Sequence, residues 1–159
     1  MELYLNIDKV PGEVTEAEHA KWIKLHTYSY SVHSENVEDP SARGKLVSGT
    51  GTYSTFDVSK DADITSPLLQ QIASTGTHIA KVQLHACLDT QKKTPAIEVE
   101  LTDVVISAYQ IAGSEGVSAT EGISFRFAKI KVTNRNFDEK GAKKSEPSFT
   151  WNLLKKTTG

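Results

Sequence analysis

The chain has 159 residues, 38% of them hydrophobic, which fits a single domain over residues 1–159 with a core of its own. Its formal net charge of −2 excludes strong bulk attraction to nucleic acid, and no apolar run approaches the roughly 20 residues of a membrane helix. The lone Cys87 excludes an internal disulfide, and the acidic opening around Glu2 and Asp8 differs from a secretory signal peptide. We therefore expect folding in a reducing cytoplasm.

The first element in chain order is an alternating strand over residues 2–8, followed by a turn at Pro11-Gly12. Residues 15–21 are acidic and weakly helical, which indicates a loop or a single turn. A second strand, residues 22–32, places large rings and small hydroxyl groups on opposite faces. Its expected core face holds His26, Tyr28, Tyr30 and Val32, and its expected solvent face holds Thr27, Ser29 and Ser31.

Residues 33–49 are polar and lack periodicity, which indicates a long loop of the kind that is functional or mobile. A strand over 50–58 follows, and then the chain's one helix. We place the helix from Pro67 to about Thr75, since Ser66 suits the N-cap and Gly76 suits the residue past the end. Its apolar stripe consists of Leu68, Leu69 and Ile72.

The strands after the helix are expected at 78–88, 96–112, 123–133 and 149–153. The longest of them changes its inward parity near Asp103, and the next changes parity in the same way. Paired changes of this kind predict bends where strands pass between two sheets. A Gly/Ser turn is expected from Gly113 to Gly122. The first of the four strands turns alternate residues outward, namely Lys81, Gln83, His85, Cys87 and Asp89.

Together these elements predict a mostly β fold. We expect an antiparallel β-barrel of two sheets, or a sandwich, with one short α-helix from about Pro67 to Thr75 that covers one opening or flank.

No motif for catalysis or metal binding is complete in the sequence. His85 and Cys87 share a strand face, but two ligands at that spacing are weak evidence for a metal site. The carboxylates of Glu98 and Glu100 also share a face, which is more typical of a solvated surface than of an acid–base pair. The basic segment 140–144 has no interleaved aromatic residues for nucleic-acid stacking. We therefore predict no catalytic residues, no metal and no cofactor.

The remaining histidines are interpreted from their surroundings. His26 lies on the aromatic face of its strand, which favours a hydrogen-bonded core histidine. His19 and His33 lie in polar segments, which favours the surface.

The charge is unevenly distributed along the chain. Residues 1–63 carry 6 Lys/Arg against 11 Asp/Glu, and residues 64–125 carry 3 against 6. Residues 126–159 carry 9 against 3. This pattern fits either ordinary solvated charge or oppositely charged surfaces that meet between copies of the chain.

The order of the segments resembles the haemolysin-coregulated protein (Hcp) family of type VI secretion systems. The resemblance is spread over nearly the whole chain, and its order and spacing are more specific than any one motif. It rests on LYLNIDKVPGE, HAKWIKLHTYSYSV, RGK, YSTFDVSKDADITSPLLQQIASTGTHI, IEVELTDVVISAYQIAGS, TEGISFRFAKIKV and FTWNLLKK. The chain departs from the family pattern at Thr150, where members often carry Gly before the final Trp.

The resemblance implies a structural protein associated with virulence and not an enzyme. Six copies of such a protein form a homohexameric ring, and rings stack into a tube inside a contractile sheath. The implied partners are sheath, spike and baseplate proteins, with effector proteins carried in the lumen, and neither nucleic acid nor membrane insertion is implied. The protein itself is made in the cytoplasm and secreted through the type VI machinery without a signal peptide.

Candidate positions follow for two surfaces of such a ring. The lumen-lining candidates are Thr27, Ser29, Ser31, Gln83 and His85, whose side chains are small or uncharged. The candidates for contact between stacked rings are Arg43, Gly44 and Lys45, within the long loop. The alternatives are ordinary solvent-exposed residues for the first set and a disordered surface loop for the second.

Two other functions remain open from the residues alone. One is a monomeric β-barrel that binds a small apolar ligand, although rings such as Tyr28 and Phe125 look large enough to fill the interior. The other is an enzyme with an unrecognised site, which requires a titratable cluster that the sequence does not reveal.

Overall fold

The computed structural model describes residues 1–34, 36–38, 46–90 and 93–159. One α-helix, α1, spans Ser66–Thr75, and a 3₁₀ turn spans Ala17–His19. The strands are β1 Glu2–Ile7, β2 Ile23–Leu25, β3 Thr27–Ser29, β4 Val32–His33, β5 Asn36–Glu38, β6 Leu46–Ser48, β7 Thr52–Tyr53, β8 Phe56–Asp61, β9 Ile79–Cys87, β10 Pro95–Ser114, β11 Val117–Asn134, β12 Asn136–Phe137, β13 Lys143–Ser145, β14 Ser148–Asn152 and β15 Thr157–Thr158.

One nine-stranded antiparallel sheet organises the molecule. Its pairings run from β2 to β1, β9, β10 and β11, and from the first half of β11 to β8 and β3. Only a bend at His26 separates β3 from β2, and the His26 N–H donates to the Ser59 carbonyl at 2.8 Å. The successive strand pairs therefore pass round the molecule. This confirms the expected mostly β, antiparallel fold. The second half of β11 continues the sheet into β14 and β15.

The core lies inside this circuit of strands. The side chains of Leu5, Phe56 and Phe125 are fully buried, and each such side chain contributes on the order of 2 kcal/mol to stability by leaving water. The alternation predicted for the strands is present in β1 and β9, where Leu5, Ile7, Val82 and Leu84 are buried. Tyr4, on the other face of β1, is also buried because residues from the following segment cover it.

The bends predicted in the two longest strands are present. Asp103 has a left-handed φ of 54°, and buried positions change parity there on β10 and opposite it on β11. A register shift lies a little further on, between Ile106 and Ala108. The turn predicted over Gly113–Gly122 is shorter than expected, since β10 and β11 stay paired as far as Ser114 and Val117. The two strands thus form one long hairpin.

Helix α1 confirms the prediction within one residue. Gly76 adopts a left-handed φ of 67°, and its N–H donates to the Ile72 carbonyl at 3.0 Å, which ends the helix. The N-cap is Thr65 and not Ser66, and it makes no side-chain cap. Leu69 is fully buried where α1 packs against β10.

Two expectations for the N-terminal half are corrected. The second strand, expected unbroken over residues 22–32, is divided into β2, β3 and β4 by bends. The segment 33–49, expected to be irregular, contains the paired strands β5 and β6 in its described part. Among the described residues, the one α-helix is too short and too polar to cross a membrane.

Candidate functional surfaces

The polar face of β3 presents small side chains to solvent. Thr27 and Ser29 are exposed and pair across the strands with Ser59 and Asp57 of β8. The Thr27 and Ser59 hydroxyl groups lie 2.5 Å apart and form a hydrogen bond. The sequence correctly placed Thr27 and Ser29 on an outward face.

Ser31, predicted on the same face, is half-buried. Its N–H donates to the Ser54 hydroxyl at 2.8 Å, and its own hydroxyl lies 3.2 Å from Nε2 of His33. It therefore lies at the edge of this polar face and is held in place by its neighbours.

Gln83 and His85 lie on the outer face of β9, away from Thr27 and Ser29. In the circuit of strands, β11 and β10 lie between β8 and β9 on one side, and β3, β2 and β1 lie between them on the other, so their outer faces point in different directions. The structure therefore does not bring these two groups of predicted lumen residues together on one surface. Gln83 is half-buried and accepts a hydrogen bond from Asn6 at 3.1 Å.

The outer face of β9 is covered by residues 10–22, which we call the cover segment. The segment is folded on itself, since the Gly12 N–H donates to the Lys21 carbonyl and the Lys21 N–H to the Val14 carbonyl, each at 2.7 Å. Gly12 allows this close approach, because a Cβ at that position would lie 2.3 Å from the Trp22 carbonyl oxygen.

His19 anchors the cover segment to the sheet. Its ring stacks on Tyr4 with centroids 4.4 Å apart, and its side chain is only 2% exposed. Its Nδ1 lies 2.7 Å from a Glu16 carboxylate oxygen, and its Nε2 lies 2.9 Å from Nδ1 of His85. The Trp22 ring contacts both histidines. His19 was expected at the surface, and this expectation was wrong because it fills the space above Tyr4.

His85 continues this contact into a network of charges. Its Nε2 lies 2.8 Å from Oε1 of Glu98, and Arg135 binds the other oxygen of the same carboxylate. Arg135 also lies 2.7 Å from Glu146. Burial, with smaller contributions from the nearby His19 and Arg135 charges, lowers the pKa of His85 to about 4, although Glu98 opposes the shift. We name Glu16, His19, His85 and Glu98 the histidine bridge.

Cys87 lies beneath the cover segment and is fully buried, whereas the sequence placed it on the solvent face. Its Sγ lies 3.7 Å from Nε2 of His19. Burial and the nearby carboxylates of Glu16 and Glu2 raise the pKa of this thiol to about 11, so the pair lacks the thiolate that a nucleophile requires. Among the described residues, no group of three acidic, histidine or cysteine side chains is arranged to hold a metal ion.

His26, expected to be a core histidine, is exposed. Its ring pairs with Asp61 at 2.9 Å, and about half of each side chain is open to solvent. The bend between β2 and β3 turns this ring outward, whereas Tyr28 and Tyr30 remain packed against the core.

An ionic cluster that the sequence analysis missed lies under the N-terminus of α1. Lys60 is fully buried, and its Nζ lies 2.8 Å from Asp63 and 2.5 Å from Oε2 of Glu121. That oxygen makes no directed hydrogen bond and is held by the charge of the ammonium group, while Tyr109 donates to the other oxygen. The sequence did contain a sign that Lys60 is buried, since Lys60 lies on the same face of β8 as Phe56 and Val58.

An exposed apolar groove lies beside β14. It has a volume of about 370 Å³, and its walls include Tyr30, Val32, Tyr53 and Phe149. Val32 is 50% exposed and Phe149 is 45% exposed, and Phe149 stacks on Trp151. Large apolar side chains grouped at the surface are typical of contact sites.

The predicted stacking residues Arg43, Gly44 and Lys45 lie outside the described residues.

Comparison with known proteins identifies one family. A sequence model described as "Type VI secretion system effector, Hcp" matches residues 4–133 of the chain. No curated protein sequence matches it.

Several solved structures are similar over nearly their whole length. A structure described as a type six secretion system protein is 25% identical, with a TM-score of 0.92, and the match covers 99% of each chain. Hcp1 from Salmonella typhimurium is 16% identical, with a TM-score of 0.80 and coverage of 99% of this chain and 98% of that one. A type VI secretion system effector from Yersinia pestis is 22% identical, with a TM-score of 0.75 and coverage of 95% and 99%.

Proposed function

Because the chain belongs to the Hcp family of type VI secretion effectors, we propose that six copies of it form a ring and that the rings stack into the tube of that machine. The observation that carries this proposal is the match to a type VI secretion protein over 99% of both chains. Proteins of this family are structural, secreted components and not enzymes. Proposed with the ring are the sheath, spike and baseplate proteins as partners, and secretion without a signal peptide.

The lumen of the ring is proposed to be lined by the polar face of β3. Thr27 and Ser29 are exposed there, small and uncharged, and their cross-strand neighbour Ser59 extends the hydroxyl-rich surface. Such a surface holds water and offers an effector no large apolar or charged group to bind irreversibly. Gln83 and His85 remain predicted lumen residues with less structural support, since His85 is only 16% exposed beneath the cover segment.

The contact between neighbouring copies in the ring is proposed to include the apolar groove beside β14. A closed ring requires one surface of each copy to fit a different surface of the next. The groove supplies the apolar area for one such surface, and Phe149 is its exposed aromatic residue. For stacking between rings we keep the proposal of Arg43, Gly44 and Lys45.

Electron microscopy and sedimentation of the purified chain test the proposal. We expect rings with an open centre and a mass several times the 17.4 kDa of one chain. Replacing Phe149 with Ser should shift the protein toward the monomer by about tenfold or more in dissociation constant, because it removes a buried aromatic contact. The matched control is Leu154→Ser, since Leu154 is 78% exposed and does not line the groove. Equal loss of rings in both variants contradicts the groove as the contact.

A second arm of the same experiment addresses the stacking residues. Replacing Arg43 and Lys45 with Glu should leave single rings intact and reduce their stacking into tubes. Unchanged tube formation contradicts this assignment. If the wild-type chain sediments as a monomer that carries a small apolar ligand, the ring itself is ruled out in favour of the ligand-binding alternative.

A further inference from the structure

The contacts of the histidine bridge require more protons than its groups ordinarily carry. Three contacts link the four groups: Glu16 to His19 at 2.7 Å, His19 to His85 at 2.9 Å, and His85 to Glu98 at 2.8 Å. Each contact needs one hydrogen between its two atoms. Two neutral imidazoles supply two hydrogens, and the carboxylates supply none. The complete bridge therefore holds three protons, one of them shared among its members.

A fourth proton breaks the bridge. It would give both His19 and His85 a second N–H, so that two N–H groups oppose each other across the 2.9 Å contact. The two rings would also carry like charges in a site from which water is largely excluded, which is strongly unfavourable. The bridge is thus complete at one protonation state and fails when the medium becomes more acidic.

Because the histidine bridge links the cover segment to the sheet, its loss would affect how that segment is held. The cover segment is hydrogen-bonded to itself, and the His19 ring is its main side-chain anchor on the outer face of β1 and β9. The segment is also held by the Trp22 ring, which contacts His19 and His85, by Val10, which is buried in the core at its start, and by Glu13, whose carboxylate accepts from the Ile64 N–H at 3.1 Å. Losing the His19–His85 contact therefore loosens the part of the segment around His19, above Tyr4 and Cys87, while the core stays in place.

We propose that the histidine bridge is an acid-sensitive latch, which holds the cover segment on the sheet at neutral pH and releases it as the pH falls toward about 4.5. The device goes beyond tube assembly, since it lies on the outer face of β9 and needs only one chain.

The groups around the bridge set the direction of its response. The closed form lowers the pKa of His85 from 6.5 to about 4, chiefly by burial, so the open form binds more protons between these two values. Opening is therefore favoured as the pH falls through that window, from about 6.5 toward about 4. The charged or titratable groups that surround the bridge are Glu2, Tyr4, Lys24, Cys87, Lys93, Glu100, Lys131 and Arg135.

The reactivity of Cys87 can be used to measure opening of the cover segment. Cys87 is the only cysteine of the chain, it is fully buried, and it lies directly beneath His19. Its rate of reaction with 4,4′-dithiodipyridine, a thiol reagent that stays active in acid, reports opening of the cover segment. Each rate is divided by that of the same protein in denaturant at the same pH, which cancels the chemistry of the thiol.

We expect this relative rate to rise between about ten- and a hundred-fold from pH 6.5 to about pH 4.5, because the open form gains a proton that the closed form rejects. His85→Gln removes the titrating ring and should flatten the rise. The matched control is His78→Gln, since His78 is 74% exposed and pairs with Asp103 far from the bridge, and it should keep the full response. A relative rate that does not change with pH in the wild-type protein overturns the proposal, as does an unchanged response in His85→Gln.

Imidazole nitrogen chemical shifts of the wild-type protein give a second measurement that needs no variant. We expect the spectra at neutral pH to show one proton shared between His19 and His85, and the loss of that shared signal over the pH range in which Cys87 becomes reactive. Two independent histidines that titrate as free imidazole would overturn the proposal even if the variant does not fold.

Discussion

Lys60 shows how one residue can decide the stability of an end of the barrel. Its side chain points inward from β8 with Phe56 and Val58, and its charge is balanced by Asp63 and Glu121. Although burial raises the pKa of Asp63, the hydrogen bonds from Lys60 and Thr65 outweigh it and hold that pKa below the usual value. A buried pair of this kind adds little net stability, but removing one partner leaves a charge without compensation.

Replacing Lys60 with Met should therefore lower the free energy of unfolding by about 3–5 kcal/mol, because Glu121 would be left charged in the core. Urea unfolding at neutral pH measures the change. Adding Glu121→Gln to the same variant should restore part of the loss, since it removes the uncompensated charge.

The control for this prediction is Lys24→Met. Lys24 is half exposed and pairs with Glu2 at 3.6 Å, so its loss should cost no more than about 1 kcal/mol. Equal costs at the two lysines would show that the buried cluster has no special role.

The same residues show what could be read from the sequence and what could not. Alternation places Lys60 on the inner face of β8, so it was accessible to sequence reasoning although it was not recognised. The contact of His19 with His85 was not accessible, because 66 residues separate them and no local pattern reports that the 3₁₀ turn folds back over β9. Cys87 was misjudged for the same reason, since alternation gives the face of a strand but not what covers that face.

At the scale of elements, helix α1 was the most predictable part of the chain. Its termination depends on Gly76, whose φ of 67° is strained for any residue with a Cβ. The hairpin of β10 and β11 was less predictable, because its Gly- and Ser-rich end resembles a loop in composition while its backbone remains paired. Exposed side chains at that end, such as Val117, carry no burial pattern for sequence reasoning to detect.

Replacing Gly76 with Ala should destabilise the protein by about 1 kcal/mol, because alanine pays a steric cost in the left-handed conformation. In a chain of this length that corresponds to a decrease of roughly 2–4 °C in the melting temperature. Gly122→Ala is the matched control, since Gly122 has no left-handed φ and no atom lies within 4 Å of its Cβ position. A melting temperature equally reduced in both variants contradicts the role assigned to Gly76.

At the scale of the whole molecule, the charge of the chain is divided along its length. The first 63 residues carry a surplus of acidic groups, and the last 34 carry 9 Lys/Arg against 3 Asp/Glu. Part of the basic surplus is neutralised within the chain, as Arg135 and Lys143 pair with Glu146. The remainder is available to contact an acidic surface on another copy.

If such contacts join the copies, assembly should weaken as salt is added from about 0.05 M to 1 M, because the screening length falls to about 3 Å at the higher concentration. Sedimentation at a series of protein concentrations measures the dissociation constant. An oligomer that is indifferent to salt, or is strengthened by it, would assign the contact to the apolar groove and Phe149 instead.

The pairing of β1 with β9 has a consequence for how the chain folds as it is synthesised. Leu5 pairs with Leu84, so this edge of β1 waits during synthesis for a partner roughly 80 residues further along the chain. The β10–β11 hairpin is built from neighbouring sequence and closes at a lower entropic cost. One edge of β1 can pair early with β2, but the edge that pairs with β9 stays open until roughly 80 further residues have been made, and until then it is available to a chaperone or to another nascent chain.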